Sequence, residues 1–214
     1  MGIIRLLLAL VVVLGHLGYP LTKTAGGVAA VQAFFMISGF YIAMALGTSY
    51  SDSKGRFWLN RALRLYPVYL FVAAAAISFR GLTEPTYFEE ILSLPSAGQL
   101  LIWLSNLSLF GQDWVMFSGV VNGHLAVVSD FRISEPQLWT LLLVPPAWSL
   151  GIELTFYLLA PFLLRLHTRY LVAIIVGSLI LRATLALYGL HRDPWSYRFF
   201  PNEVALFLIG SIAF

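Results

Sequence analysis

The chain alternates long apolar runs with short polar, basic or proline-containing breaks, and the runs have the length of membrane helices. The first run covers about residues 3–19 (IIRLLLALVVVLGHLGY) and is stopped by Pro20 and a short polar stretch holding Lys23. The second covers about 27–47. Residues 48–65 then form the most basic stretch of the first half, with Asp52, Lys54, Arg56, Arg61 and Arg64. A third run, about 63–79, has Pro67 near its start, where proline costs a helix least, and its exit carries Arg80, Glu84, Glu89 and Glu90. Residues 99–117 are a weaker segment, interrupted by Asn106, Gly111 and Asp113, that either spans or re-enters. A glycine-containing, mildly polar stretch follows at about 118–136, then the proline-broken LWTLLLVPPAW at 138–148. Further runs are predicted at about 149–164 and 170–190, the latter holding Arg182, and a last one at 202–214 stops at Phe214 as if truncated in mid-helix.

This pattern predicts an all-α, polytopic bundle of about six to seven membrane segments forming a single domain over residues 1–214. Composition agrees. Of 214 residues, 59% are hydrophobic and 11% charged, with mean hydropathy +0.84, which excludes a soluble globular domain and makes the lipid bilayer the first partner. The net charge of +3 could suggest an anionic partner such as nucleic acid, but Lys and Arg gather beside apolar runs, the distribution of the positive-inside rule. No nucleic-acid role is expected. Cysteine is absent, which removes disulfides and thiolate chemistry. The N-terminus superficially resembles a signal peptide, but Leu17-Gly18-Tyr19-Pro20 is no clear cleavage site, so the first helix is retained.

The basic stretch after the second run places itself, and with it the N-terminus, on the cytoplasmic side. One step stays open. If 99–117 crosses, then Arg165, His167 and Arg169 fall outside, against the charge rule; if it re-enters, they become cytoplasmic and the start of the 149–164 helix lies level with His16. The second arrangement is preferred.

Arg5 and His16 are eleven residues apart, which at about 100° per residue returns within roughly 20° of one direction, some 16 Å along the axis. Ionisable groups inside a bilayer face the bundle interior or a wet cavity, so both are candidates for function. The plainer alternatives are a histidine satisfied by a neighbouring carbonyl and an arginine snorkelling to the headgroups. Ser149 and Glu153 stand four apart in PAWSLGIELTFY and share a helical face. Ser149 could equally be a helix N-cap, and Glu153 an acid favoured by the helix dipole. A carboxylate opposite a histidine would fix the imidazole tautomer for general-base work. Lys54, Arg56, Arg61 and Arg64 either orient helices and bind anionic headgroups or hold phosphate, for which arginine offers a planar fork. In FFMISGFYIAMAL, Ser38, Gly39 and Ala43 would let another helix approach closely. His124, His167 and His191 show no metal-ligand spacing, and no metal site is expected.

Four strings, R-x10-H at Arg5 and His16, FFMISGFYI at 34–42, FWLNRALRLYPVY at 57–69 and PAWSLGIELTFY at 146–157, together resemble the acyltransferase 3 family of multi-pass membrane enzymes that acylate extracytoplasmic carbohydrates. The resemblance implies that His16 is catalytic and that Arg5 belongs to the same motif, that Arg61 and Arg64 contact an acyl-CoA donor from a cytoplasmic loop, and that Ser149 and Glu153 form the family's S-x3-E pair. Two positions depart from the pattern: Tyr41 where an aliphatic is usual, and a less acidic Gly151-Ile152-Glu153-Leu154-Thr155. Members usually have about ten membrane helices, so the chain is expected to be a C-terminally truncated member.

The function so implied is transfer of an acyl group, acetyl most often, from cytoplasmic acyl-CoA (acetyl-CoA) to a hydroxyl of an extracytoplasmic carbohydrate acceptor, in the cytoplasmic (inner) membrane. His16 would deprotonate the hydroxyl or carry the acyl group transiently, with Glu153 orienting it. The rival classes are a proton-coupled transporter, which predicts paired broken helices in corresponding halves, and an inactive fragment or partner subunit.

Overall fold

The computed structural model describes residues 2–18 and 25–214; Pro20 and Lys23 lie outside them. The described residues form nine α-helices: α1 (Gly2–His16), α2 (Ala25–Gly47), α3 (Lys54–Thr83), α4 (Tyr87–Ser93), α5 (Ser96–Ser108), α6 (Gln112–Val115), α7 (Trp148–Leu163), α8 (Thr168–Leu187) and α9 (Phe200–Ile212). Short strands β1 (Ser118–Val121) and β2 (His124–Val127) lie between α6 and α7. The expected class holds with that one addition.

Among the described residues, four helices are long and apolar enough to cross a membrane: residues 26–47, 54–83, 145–163 and 168–187. α1 and α9 are apolar but shorter, at 15 and 13 residues, so six to seven crossings are not reached on this measure. The outward faces are apolar, as a lipid solvent requires: Ile3, Leu6, Phe71, Ile180 and Leu187 are all exposed.

The third run begins earlier than its hydropathy suggests. Ser53 caps α3 by accepting from the Arg56 backbone N–H at 3.3 Å, and the helix then runs for 30 residues, about 45 Å at 1.5 Å per residue. Lys54, Arg56, Arg61 and Arg64 therefore lie on a helix rather than in a loop, and Pro67 sits in its interior rather than near its start. Leucine, arginine and alanine around these positions favour helix strongly enough to carry it through.

Among the described residues, segment 84–147 holds no helix long and apolar enough to cross a membrane. α5 is 13 residues, about 20 Å, against a hydrocarbon core of about 30 Å. It stops at Leu109 (φ 61°) and turns back through Gly111 (φ 80°) into α6. Tyr66 and Tyr69 of α3 donate to the carbonyls of Ser108 and Asn106, fixing that turn against the middle of α3. On its other side it meets α7, where a Cβ at Gly151 would lie 3.1 Å from Asp113 Oδ1. The chain then makes a hairpin around Asn122 (φ 51°) and Gly123 (φ 78°), the pair of left-handed residues that a two-residue hairpin turn demands. The segment thus turns back on itself, a course in keeping with the re-entrant arrangement.

Helices alternate in direction. The end of α1 and the starts of α2 and α7 meet around His16, together with Tyr197 and Arg198, which precede α9. At the opposite end, Gly47, Lys54, Arg165, Leu171 and Phe214 surround another cavity, so Arg165 and Lys54 share one side.

The core is tightest between α2 and α9. A Cβ at Gly39 would lie 1.9 Å from the Phe207 carbonyl oxygen, and one at Gly210 would lie 1.9 Å from that of Met36. The two backbones touch, as small residues in membrane helices permit. Phe207 stacks on Phe35 (4.8 Å between centroids) and Phe156 (4.3 Å), joining α2, α7 and α9. α8 is tied in by charge: Arg182 Nη2 donates to Glu203 Oε1 at 2.6 Å, and Gln32 Nε2 to the same oxygen at 3.3 Å. The Glu203 side chain is fully buried, so removing its cation leaves a carboxylate uncompensated. We expect Arg182→Ala to cost about 3 kcal/mol, visible as a lower helix-melting temperature in detergent; an unchanged transition would make the pair dispensable.

Candidate active site

α1, α2 and α7, with part of α3 and the segment before α9, line two cavities placed end to end. The deeper one, about 370 Å³, is lined by Arg5, Ser38, Arg64, Glu153 and Tyr157 among others. The second, about 260 Å³, is lined by His16, Trp148, Tyr197 and Arg198. Val12, Val31 and Ser149 belong to both, so the cavities form one track along α1.

His16 closes α1. Its Nδ1 lies 2.8 Å from the Val12 carbonyl oxygen one turn earlier. A carbonyl only accepts, so Nδ1 carries the proton of the neutral ring and Nε2 is left with its lone pair. The carbonyl partner considered from sequence is real, but it selects a tautomer suited to base chemistry.

Arg5 does not snorkel. Its Nη2 donates to Ser38 Oγ at 3.3 Å, and its guanidinium lies 5.0 Å from the Tyr41 ring centroid. Ser38 in turn donates to Glu153 Oε1 in a short hydrogen bond. Arg5, Ser38 and Glu153 thus form a chain across α1, α2 and α7. Glu153 is engaged with Ser38 in the deeper cavity rather than with His16. The cause is axial position: Arg5 and His16 are about 16 Å apart along α1, and Glu153 sits at the Arg5 level. Ser149, one turn before Glu153, lies between the two levels. It does not cap α7, whose N-cap is Ala147; its Oγ donates to the Pro146 carbonyl at 3.3 Å.

The four basic residues are not brought together. Arg64 lines the deeper cavity. Arg61 packs between Phe57 and Tyr157, with centroids 5.4 and 5.9 Å from its guanidinium carbon. Lys54 lies with Arg165 in the cavity at the opposite end of the bundle, its Nζ 4.1 Å from the Phe162 ring. Arg56 is exposed on the first turn of α3.

A polar group that the sequence does not mark stands beside His16. Arg198 donates through Nε to Asp193 Oδ1 at 2.5 Å and through Nη2 to Tyr197 Oη at 2.8 Å, while its guanidinium covers the Trp148 ring at 4.2 Å. Arg132 also donates to Asp193. Burial pushes the Tyr197 phenol above its usual range, so it stays a neutral hydroxyl. These residues come from segments without periodicity, and no local spacing marks them. Ser38 was readable only as a helix-packing residue.

A histidine whose Nε2 meets no hydrogen-bond partner among the described residues, reached by a track with arginines at its other end, fits a site for group transfer inside a helical membrane protein. The whole chain, residues 1–214, matches the acyltransferase 3 family, described as an acyltransferase domain, and the protein belongs to that family. It is 31% identical over 145 residues to the acyltransferase MdmB of Streptomyces mycarofaciens, covering 67% of this chain and 30% of that protein. It is 25% identical over 203 residues to the peptidoglycan O-acetyltransferase OatA of Listeria monocytogenes, covering 89% and 29%. With the O-acetyltransferase OatA of Staphylococcus aureus it shares 27% identity over 141 residues, covering 64% and 20%. The chain therefore spans less than a third of the length of these relatives. No solved structure matches it.

Proposed function

We propose that the protein transfers an acyl group, acetyl first, from acyl-CoA on the cytoplasmic side to a hydroxyl of a carbohydrate on the far side of the inner membrane. The observation that carries this reading is the continuous track from Arg5, Arg64 and Glu153 to His16. The N-terminus and Lys54 face the cytoplasm, in keeping with the concentration of Lys and Arg at that end. Arg64 attracts the donor's phosphates, while Arg5 is held in place by Ser38 and Glu153.

At the other end the acceptor hydroxyl gives its proton to His16 Nε2 as its oxygen bonds to the thioester carbon. The carbon–sulfur bond then breaks, and the proton on Nε2 passes to the departing thiolate, which leaves as free CoA. General-base help of this kind contributes roughly 10²–10⁴-fold. The similarity to two O-acetyltransferases, one of them named for peptidoglycan, supports acetyl as the group and a glycan as the acceptor.

The test uses inverted inner-membrane vesicles carrying the full-length protein, with labelled acetyl-CoA outside and a glycan acceptor within. Label should appear on the enclosed glycan. Arg64→Ala should raise the apparent KM for acetyl-CoA about tenfold, the scale of one lost charge-assisted contact. Label that stays outside, or on CoA, would overturn the proposal.

A further inference from the structure

His16 stands at the junction of two clefts, and only one leads back along the track. The other, about 230 Å³, opens toward segment 84–147 and is lined by Phe131, Arg132 and Trp139, together with His16, Trp148 and Arg198. Its walls combine two features. Aromatic rings back the cleft: the half-buried Trp139 meets the buried Phe131 edge to face at 6.2 Å and is held by an Nε1 bond to Gln137 Oε1 at 3.1 Å. The polar part is a network of planar groups in which Asp193 bridges Arg198 and Arg132, with Asp130 Oδ1 3.5 Å from Arg132 Nη1.

The charges within this network cancel: two guanidinium groups meet two carboxylates. A site for an anion would leave its arginines unpaired, whereas here Asp193 occupies both. What remains is a rigid set of hydrogen-bond donors and acceptors with no excess charge, beside aromatic faces. Among the described residues, Arg198 directs Nε and Nη2 to Asp193 and Tyr197, and Nη1 has no hydrogen-bond partner. Such a surface matches a ligand with an apolar C–H face and an edge of neutral hydroxyls, which is the chemistry of a sugar ring.

We infer that the cleft formed by Phe131, Arg132, Trp139 and Arg198 is the acceptor subsite, taking a neutral saccharide ring and setting one hydroxyl beside His16. This rests on the acyl-transfer reading for its purpose, but binding can be measured without transfer. Arg132 and Trp139 are the specificity-determining positions open to ligand, since the Arg132 side chain is 49% exposed and that of Arg198 is 13% exposed.

The experiment titrates full-length protein in nanodiscs with chitotetraose and, separately, cellotetraose, following binding by calorimetry. At least one should bind, and Trp139→Ala and Arg132→Ala should each weaken that binding tenfold or more. Arg169→Ala, at the start of α8, should bind as the parent does. Retained melting temperature in Trp139→Phe and Arg132→Lys, with intermediate affinity, would show that the losses reflect contact and not misfolding. Binding of neither saccharide, or binding indifferent to Trp139 and Arg132, overturns the subsite. Saccharide binding that is lost in these variants, in a protein that transfers no label, would leave the subsite standing and defeat the acyl-transfer reading alone.

Discussion

Replacement of His16 by alanine should abolish acyl transfer while leaving the protein inserted and folded. α1 ends at this residue, and the imidazole makes its hydrogen bond to the carbonyl of Val12 within the same helix. Among the described residues no partner on another helix is lost when it goes, so stability should change little. Chemistry should change greatly, because Nε2 is the basic atom at the meeting point of the two clefts. A loss of at least about 100-fold in rate is expected, the lower end of what a positioned general base contributes. The measurement is acetyl transfer by the full-length protein, normalised to the amount in the membrane. Transfer within a few-fold of the parent would remove His16 from the mechanism. His16→Gln is an informative companion, since its amide can still donate to Val12 but cannot accept a proton.

The second large effect is structural. Gly39→Ala adds one methyl group, which would sit 1.9 Å from the Phe207 carbonyl oxygen and 2.7 Å from its carbon. Backbone cannot rotate away as a flexible side chain can, so α2 and α9 must separate. Separation breaks the Phe35–Phe207 stack and the 3.1 Å bond from Ser211 Oγ to the Gly39 carbonyl. Overpacking of this kind costs about 3 kcal/mol, a fall of roughly 10 °C in melting temperature for a chain of this size. Gly177→Ala on α8 is the matched control, because a Cβ there meets nothing within 4 Å. It should melt at the parent temperature or slightly above, since alanine favours helix by about 1 kcal/mol over glycine. Equal behaviour of the two variants would contradict the backbone contact.

Much of this architecture was legible in the sequence because a bilayer imposes one rule: long apolar runs become helices. α2, α7 and α8 fall where their runs lie. Boundaries set by polar residues were less legible. The basic stretch before residue 65 reads as a loop by hydropathy, yet arginine and lysine are good helix formers and a serine cap at Ser53 starts α3 early. The hairpin at 118–127 carried its own signal, Asn122-Gly123 between valines and an alternating run, overshadowed by the helical pattern on both sides.

At the site, the face shared by Arg5 and His16 was readable from helical geometry, as was that shared by Ser149 and Glu153. Which of these residues meet was not. Periodicity gives direction around an axis but says nothing of the relative height of two helices, and that height pairs Glu153 with Ser38 and Arg5. The arginines of the acceptor cleft come from residues 132 and 198, joined only by Asp193, and no local pattern announces such a meeting.

The segment that turns back on itself between α3 and α7 has a consequence for how such a protein can diversify. Its described residues hold no helix long and apolar enough to cross, so it brings the chain to the start of α7 at the end where α3 finishes. Residues 84–147 can lengthen, shorten or be exchanged without inverting any helix that follows. Because Phe131, Arg132 and Trp139 all lie on it, a change of glycan preference could be acquired there while the polarity of donor and acceptor sides is inherited unaltered.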